Sequence, residues 1–405
     1  MASDSMSIRL HLRAIRVLEV VADDPRRLVV AVIATSLRLQ CRWCGFSTAK
    51  VHETRTVKVR DLAVSGRRVT LVWHRRRFEC ENCGSRQTEG HPEIDGHLTV
   101  RLVRRVVADA RVMTISAVAS RHGLGWAKVM ELVKIRARLL QDHRRASRCR
   151  VLLVDETSLR RRHRYVTVLV NGETGEVLGM VRHRNEQALS SFLVAQGYRW
   201  CKGVQVVVTD GSESYAAAIR KHLGHATHVL DRFHVVRWFS SGLVQVRRRL
   251  QRREPRGHVT PAFDPEVFRS RFLALRRADR LGEAETARLE AVFATHAELA
   301  RAWQMLQELH GLYLAESEDE AMAALDRFAD LYQADMVPEF YKVVDTLLHW
   351  APEIFNFHKA GRWSNGKMEG TNNKLGVLKR MAYGFVNADN FEARGILLTP
   401  PKLVT

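Results

Sequence analysis

The sequence contains no apolar run long enough to cross a membrane. Its most apolar early stretch, Leu28 to Leu37, is far shorter than the roughly 20 residues that span a bilayer, and no signal-peptide pattern precedes it. An amphipathic helix with a strong apolar face beside basic residues, which a membrane-surface protein needs, is also missing. These absences predict a cytoplasmic protein.

Cysteine is scarce, and acidic residues are outnumbered by basic ones. Six cysteines in 405 residues argue against a disulfide framework in a chain of this kind. The net charge is +21, and residues 1–150 hold 30 Lys and Arg against 14 Asp and Glu, a charge of +16 that leaves +5 for the other 255 residues. This asymmetry predicts that the N-terminal part binds a polyanion while the remainder carries out chemistry.

Four of the cysteines form two close pairs, Cys41 with Cys44 and Cys80 with Cys83. The residues between the pairs are β-forming and bracket Ser65-Gly66, which predicts a hairpin. Paired Cys-x-x-Cys knuckles joined through hairpins are typical of a zinc ribbon, in which four thiolates hold one tetrahedral Zn²⁺. Four unrelated buried thiols are the alternative. We therefore predict a β-rich zinc-ribbon domain over residues 1–98.

From Val100 the apolar spacing changes to that of helices. Apolar residues before and after Gly123 and Gly125 keep the same helical period, which predicts two helices separated by a turn within residues 99–148. The second helix carries four basic residues, Lys128, Lys134, Arg136 and Arg138. This pattern is typical of a helix-turn-helix whose second helix enters the major groove of DNA. A plain helical hairpin with a solvated basic face is the alternative.

Residues 149–254 have an α/β pattern. The predicted strands are Val151–Val154, Tyr165–Val170, Val177–Val181, Val204–Val208 and Thr227–Leu230. The predicted helices lie near Gln187–Gln196 and Ser212–Leu223. Three strands in hairpin order, followed by helix, strand, helix and strand, is the order of a ribonuclease H-like core.

The remainder of the chain is predicted to be mostly helical. Pro255, Pro261 and Pro265 mark a boundary, after which a helical period predicts an all-helical insertion over residues 255–355. The catalytic core is expected to resume over residues 356–405, in a final helical region. The complete prediction is a multidomain chain that combines α+β and α/β parts.

Three acidic residues are placed for metal-dependent phosphodiester chemistry. Asp155 follows the first core strand, Asp210 follows the fourth, and Glu369 lies in the final helical region. Such carboxylates can converge on two divalent ions about 3.5–4 Å apart. We expect Asp155 to bridge both ions, with Asp210 and Glu369 each holding one side. For each acid taken alone, a surface or helix-capping role is the alternative. Glu156 is expected on the opposite face of the sheet from Asp155.

Together, these motifs resemble a known family. They are the two cysteine pairs, the helix-turn-helix, Asp155-Glu156, Thr209-Asp210-Gly211, Asp231-Arg-Phe-His-Val235 and Ser364-Asn-Gly-Lys-Met-Glu-Gly-Thr-Asn-Asn373. In this order, over roughly residues 10–398, they are similar to the DDE transposases of bacterial insertion sequences in the ISL-three family. The resemblance implies a zinc-bearing region that recognises element ends, and a ribonuclease H-like core interrupted by helices before the final Glu. It also implies strand cleavage and transfer that move the element.

The implied partners and cofactors follow from this resemblance and from the carboxylate chemistry. The DNA partners are the terminal inverted repeats of the element and the target DNA. Two Mg²⁺ or Mn²⁺ ions would serve catalysis and one Zn²⁺ would be structural, with no nucleotide cofactor and no membrane. Synapsis of two element ends predicts at least a homodimer, located in the cytoplasm at the nucleoid.

Further residues near these motifs are candidates for support and for DNA contact. Asp231 and His234 are expected to orient a metal ligand or touch the scissile phosphate, with a helix cap and a core histidine as the alternatives. On a helix, Asn372 and Asn373 share one face with Glu369. The residues expected to contact DNA in this region are Asn372, Asn373, Lys379, Arg380 and Arg394. An ordinary salt bridge is the alternative for Arg394.

Two other functions compete with transposition. A catalytically inactive DNA-binding regulator derived from a transposase would have lost an acid or the Asn-rich helix, and both are present. A ribonuclease H-like nuclease that only hydrolyses DNA would have no use for separate zinc and helix-turn-helix modules. The sequence therefore favours a transposase.

Overall fold

The computed structural model of the chain describes residues 10–160, 164–251, 264–334 and 337–399. These residues form two compact units. Unit 1 contains the described residues up to Leu140 together with Val377–Leu398, and unit 2 contains Gln141–Gly376 and Thr399. The division into five domains stays a prediction from the sequence, and the boundary predicted at residue 255 lies outside the described residues.

The described strands are β1 (Ile15–Asp23), β2 (Arg27–Ala34), β3 (Leu39–Gln40), β4 (Ser47–Thr48), β5 (Val51–Val64), β6 (Arg67–Glu79), β7 (Arg86–Thr88), β8 (Ile94–Asp95), β9 (Leu98–Thr99), β10 (Val151–Arg160), β11 (Arg164–Asn171), β12 (Val177–Arg182), β13 (Val206–Thr209) and β14 (Thr227–Leu230). The α-helices that we number are α1 (Val100–Val112), α2 (Ile115–His122), α3 (Trp126–Ala146), α4 (Glu186–Gln196), α5 (Tyr198–Lys202), α6 (Glu213–Leu223), α7 (Arg232–Gln251), α8 (Pro265–Arg269), α9 (Glu283–Thr295), α10 (Ala297–Leu314), α11 (Glu318–Ala334), α12 (Tyr341–His349), α13 (Ala351–Lys359), α14 (Gly366–Met381) and α15 (Ala388–Ile396). Across the described ranges, no helix has both the length and the apolar character that a membrane crossing requires.

Unit 1 is built on a twisted sheet with strand order β1-β2-β6-β5-β9-β8, to which β7 adds by pairing with β6. The hairpin predicted around Ser65-Gly66 is confirmed, since β5 pairs with β6 in antiparallel orientation, as β1 also does with β2. Ser65 and Gly66 form the tight turn with φ values of 52° and 76°, which is the left-handed backbone that a two-residue hairpin requires. Alternation along β6 buries Val69, Leu71 and Trp73 on one face.

The helices after this sheet begin and end where local chemistry predicts. Thr99 caps α1 and Thr114 caps α2, each accepting a hydrogen bond from a backbone N–H of the first turn. Gly123 ends α2 with a left-handed φ of 60°. Val118 on α2 and Val129 on α3 are fully buried. The two predicted helices and their glycine turn are thus confirmed, whereas DNA binding by α3 stays a prediction.

Unit 2 contains a five-stranded sheet of order β12-β11-β10-β13-β14. The first three strands are antiparallel, and β10, β13 and β14 are parallel. All five strands were predicted from apolar runs, but β10 is longer than predicted. Its parallel pairing with β13 ends at Leu153–Val208, whereas its antiparallel pairing with β11 continues past Asp155. Asp155 therefore lies inside the strand, just beyond the last residue paired with β13.

The core of this unit lies between the sheet and helices α4 and α6. Leu152 and Val154 point into it from β10, and Leu189 and Tyr215 meet them from the two helices. The Tyr215 hydroxyl forms a hydrogen bond of 2.8 Å with Thr167 on β11. This packing holds β10 and β13 in position. Asp155 and Asp210 lie just past the last residues that these two strands pair with each other.

The segment predicted as an insertion is helical where it is described, from α8 to α12. It packs on α7, where Phe239 stacks on Phe340 with 4.4 Å between ring centroids. Gly242 allows this approach, because a Cβ there would lie 2.8 Å from the Phe340 ring. The long helix α7 thus links the helical segment to the end of β14.

Candidate functional site

Acidic side chains meet at the carboxyl edge of β10 and β13. Because these strands are parallel neighbours, Asp155 and Asp210 leave the sheet side by side. His234, in the first turn of α7, joins them, and ligand atoms of the three residues all lie within 4.8 Å of one another. Asp155, Asp210 and His234 are each partly buried. The arrangement offers two carboxylates and an imidazole to one small cation or hydrogen-bonded group.

Helix α14 supplies the opposite wall of the same cavity, which has a volume of about 650 Å³. Glu369 lies in the first turn of this helix, with Asn372 and Asn373 one turn further on. All three residues line the cavity. The Asn372 Nδ2 donates a hydrogen bond of 2.9 Å to Asp155 Oδ2. Glu369 is outside the closest group of ligand atoms but faces the same space.

Buried Asp231 holds the start of α14 in place. Its Oδ1 accepts a 2.9 Å hydrogen bond from the backbone N–H of Asn365, and its Oδ2 is 3.1 Å from His234 Nδ1. The hydrogen bond with Asp231 raises the pKa of His234. Lys367 adds a second anchor by donating to the carbonyl of Gly172 at 2.7 Å. The helix that carries Glu369 is thereby tied to the sheet.

The cavity concentrates negative charge. Burial raises the pKa of Asp155 to about 6. Burial and the nearby charge of Glu156 raise the pKa of Asp210. Among the described residues no Lys or Arg forms an ion pair with either carboxylate, whereas Glu156 pairs with Arg184 at 2.7 Å. Hard oxygen ligands that lack a protein cation fit a divalent metal ion.

The four paired cysteines form a second cluster, in unit 1. The two knuckles repeat one geometry: Gly45 and Gly84, both with positive φ, donate 2.8 Å hydrogen bonds to the carbonyls of Cys41 and Cys80. The Sγ atoms of Cys41 and Cys83 are 3.7 Å apart, and those of Cys44 and Cys80 are 3.5 Å apart. Tetrahedral Zn²⁺ with bonds of ~2.3 Å places its sulfurs ~3.8 Å apart. The four thiols therefore fit one zinc ion.

Both regions match known protein families. Residues 152–395 match the family model of the ISL3 transposases, and residues 38–83 match the model described as the zinc-finger of transposase IS204/IS1001/IS1096/IS1165. The first match covers the acidic cavity and more than half of the chain. The chain belongs to the ISL3 transposase family.

Curated relatives agree with this assignment. The transposase is 27% identical to the transposase for insertion sequence element IS1001 of Bordetella parapertussis, over 91% of each chain. It is 28% identical to the transposase for insertion sequence element IS1557 of Mycobacterium tuberculosis, over 57% of this chain and 56% of the relative. The first similarity covers nearly the whole of both chains.

The residues predicted to contact DNA occupy different environments in the transposase. Lys128, Arg136 and Arg138 on α3 are exposed, and Lys134 is half-buried. Lys128 pairs with Glu131 at 3.0 Å. Arg380 is exposed on α14 and Lys379 is half-buried, 6.0 Å from the ring of Phe391. Of the two asparagines predicted to contact DNA in unit 2, Asn373 is exposed. Asn372 is half-buried and donates its hydrogen bond to Asp155.

Arg394 is not placed to contact DNA, and this prediction was wrong. Its side chain is 2% exposed and donates hydrogen bonds to the carbonyls of Ala110 at 3.0 Å and Met113 at 2.8 Å. No carboxylate of the described residues pairs with it, so the salt-bridge alternative is not found either. Burial lowers its pKa to about 10. Arg394 instead satisfies carbonyls at the end of α1, where a cation also interacts favourably with the helix dipole.

Several residues of the cavity wall were not predicted. Arg237 and Ser241 line it, and their spacing from His234 along α7 follows the helical period, a signal that the sequence contained. Asn365 also lines the cavity, is 4% exposed, and has no partner for either atom of its amide among the described residues.

The expectation for Glu156 was incomplete. Alternation places it on the face of Val154, opposite Asp155, as expected. At the edge of the sheet, however, the cavity is wide enough to include both side chains. Glu156 thus adds to the negative charge around Asp210.

Proposed function

We propose that this transposase cleaves DNA at the ends of its insertion sequence and joins them to target DNA, using Asp155, Asp210 and Glu369 as metal ligands. The observation that carries the proposal is the convergence of these acids, from β10, the end of β13 and α14, on one cavity. They are 55 and 159 residues apart in sequence. Such convergence of unpaired carboxylates is rare without a cation to hold.

The sheet supports the same proposal. Its order of three antiparallel strands followed by two parallel ones, with the acids on the first and fourth strands, is the order of a ribonuclease H-like core. Strand ends that meet at one edge are a common location for binding sites in α/β sheets. The helical segment between β14 and α14 then acts as an insertion in this core.

Divalent ions bound here, Mg²⁺ or Mn²⁺, would activate water or a 3′ hydroxyl and neutralise charge on the phosphate. Asp155, Asp210 and Glu369, which line one cavity, would hold these ions. Asn372 holds one oxygen of Asp155 in a fixed direction. Asp231 keeps His234 and the start of α14 in register. Arg237 and the unbonded amide of Asn365 are placed on the wall to receive a phosphate oxygen or a sugar hydroxyl.

Recognition of the element ends is proposed for unit 1. The basic helix α3 would lie in the major groove of a terminal inverted repeat, and the zinc ribbon would hold the surrounding fold. Two ends must meet before strand transfer, so we propose a dimer or larger assembly on DNA. An inactive regulator would be expected to have lost at least one of the three acids. The alternative loses support, because all three line the cavity.

The decisive experiment replaces each acid without changing its shape. Asp155→Asn, Asp210→Asn and Glu369→Gln are expected to lower Mg²⁺-dependent cleavage of a labelled element-end duplex by a factor on the order of 10³ or more, since the ligands act as one unit. Duplex binding, measured without divalent ions, should remain within a few-fold of wild type.

Matched controls are Asp326→Asn and Glu318→Gln, which change exposed acids on α11 and should cleave as wild type does. Wild-type cleavage by any of the three cavity variants would remove that residue from the proposed set. Wild-type protein that binds the duplex but never cuts or joins it would favour the regulator.

A further inference from the structure

The sheet of unit 1 has one apolar face and one basic face. Along β6, Val69, Leu71 and Trp73 enter the core, so the residues between them point the other way. The open face forms a groove of about 770 Å³ across β2, β6 and β5. Its basic members are Arg26, Arg27, Lys58, Arg60 and Arg68.

Most of these charges are not neutralised within the protein. Arg27 pairs with Asp24 at 2.7 Å. The other four basic residues of the groove form no ion pair with a carboxylate of the described residues. The groove includes no acidic residue. Lys58, Arg60 and Arg68 lie on the neighbouring strands β5 and β6, and Arg26 lies in the turn before β2. These four cations repel one another unless an anion lies between them.

Two of the cations reach the turn of the helix-turn-helix. Arg60 Nη2 donates to the carbonyl of His122 at 3.2 Å, at the end of α2. The guanidinium groups of Arg60 and Arg68 lie so close to Gly123 that a Cβ there would be 3.1 Å and 3.0 Å from them. Burial and the charge of Arg68 lower the pKa of Arg60. The basic groove therefore ends at the turn that precedes α3.

We propose that this groove, which we call the sheet groove, binds the phosphate backbone of duplex DNA. The bound stretch would lie next to the part of the duplex that α3 contacts. The inference rests on the proposed function, because it assigns a second contact to the same DNA. Trp126 and Lys128, at the start of α3, are exposed beyond the turn that Arg60 and Arg68 contact. A DNA backbone that runs from the sheet groove past Gly123 would continue to the start of α3, the helix proposed to enter the major groove.

The chemistry of the groove suits sequence-independent contact. Its neutral members offer no aromatic surface on which a base could stack; they are Pro25, Val29, Gly66, Thr70 and Val72. Single-stranded nucleic acid is usually held by stacking on aromatic residues. Cations on a strand face position a duplex through its phosphates and carry no sequence information. The groove should therefore contribute affinity, and α3 specificity.

The test measures the salt dependence of duplex binding by the full-length protein without divalent ions. Fluorescence anisotropy would compare an element-end duplex with a scrambled duplex of equal length, for wild type and for Lys58→Gln/Arg68→Gln. The plot of the logarithm of the association constant against log salt concentration has a negative slope. The magnitude of this slope should fall by about 2 in the double variant, since each phosphate contact contributes about 0.9. The affinity loss should be the same for both duplexes.

The matched control is Arg199→Gln/Lys221→Gln, which removes the same charge from exposed positions of unit 2 and should keep the wild-type slope. Lys58→Gln alone, at an exposed strand position, should lower the slope by about 1 and guards against misfolding of the double variant. Wild-type slopes for both groove variants would overturn the proposal. The proposal would also be overturned if the groove variants lost affinity only for a single-stranded RNA of equal length and not for the DNA duplexes.

This readout is independent of catalysis. If wild type fails to cleave but the groove variants lose slope, the groove stands and the proposed strand chemistry falls. If wild type cleaves and the groove variants bind normally, the groove proposal alone is wrong.

Discussion

At the scale of single residues, the environment of a side chain decides its protonation and its role. His228 shows this just behind the cavity. Its Nε2 lies 2.8 Å from the hydroxyl of Thr209, the residue before Asp210. Burial lowers the pKa of His228 to about 4. A neutral imidazole thus supports the strand end that carries Asp210.

The first prediction concerns this histidine. Because its pKa falls from 6.5 in the unfolded chain to about 4 in the fold, its contribution is fully present above pH 6.5 and is lost as the pH falls toward 4. On acidification, His228 should lower the free energy of unfolding of the wild-type protein by on the order of 3 kcal/mol. His228→Gln should lack this decrease. Urea unfolding of unit 2 at pH 7.5 and pH 4.5 measures the difference.

The exposed neighbour His225 provides the control, since His225→Gln should show the wild-type decrease. Asp155 acts in the opposite direction, because a raised carboxyl pKa makes stability fall as the pH rises through about 6. The comparison must therefore be made between variants and not from one pH profile. An identical pH dependence in wild type and His228→Gln would refute the prediction.

At the scale of elements, helix ends carry much of the organisation. Asp231 ties the start of α14 to α7, and Arg394 on α15 holds the carbonyls at the end of α1. Both residues are charged and almost fully buried. Each therefore needs its partners, because an unpaired buried polar group costs several times more than an exposed one.

The second prediction concerns Arg394. Arg394→Ala should destabilise unit 1 by about 3 kcal/mol, because two charge-assisted hydrogen bonds to buried carbonyls are lost. The salt dependence of duplex binding at a temperature where the variant is folded should not change. Thermal unfolding of unit 1 and anisotropy titrations measure the two effects.

Exposed Arg380 offers the contrasting variant. Arg380→Gln should leave the unfolding transition in place and lower the salt slope by about 0.9 if it contacts a phosphate. A lowered slope for Arg394→Ala with unchanged stability would restore the DNA contact that the burial of Arg394 argues against.

Patterns within elements were readable in the sequence. The apolar runs of β10, β13 and β14, and the glycine turn after α2, gave the correct type of structure because side-chain periodicity follows backbone geometry. The end of β10 was misplaced, because Asp155 and Glu156 continue a ladder whose partners in β11 are 13 and 11 residues away. Polar strand residues at such an edge have no apolar signature.

At the scale of the whole molecule, two clusters of side chains that could hold metal ions lie in different units. Thiolates in unit 1 suit Zn²⁺, and carboxylates in unit 2 suit Mg²⁺. Around the thiols, the hydrogen bond with the Ser85 hydroxyl lowers the pKa of Cys41 to about 6, whereas burial raises the pKa of Cys80 to about 11.

The third prediction concerns zinc. Cys44→Ser should lower the zinc content from about one ion per chain to near zero, since a structural site needs all four ligands. Hydrogen exchange should then increase in the knuckles, and duplex binding should weaken. Elemental analysis, exchange mass spectrometry and anisotropy give the three readouts.

Cys149→Ser is the control, because this thiol is buried in unit 2 and is not a member of the four-cysteine group. It should keep the zinc and the binding of wild type. Equal zinc content in the two variants would show that the four thiols do not form the site.

The sequence by itself determined the zinc cysteines, the basic character of the N-terminal part, the strand order of unit 2 and the three acids, because each depends on spacing or composition along the chain. Only the tertiary structure decided which charges are buried. It moved Arg394 from a DNA surface into the interior, brought Asn365 and Arg237 to the cavity, and aligned Lys58, Arg60 and Arg68 across strands. Burial and cross-strand neighbours depend on residues far apart in sequence, and no local period records them.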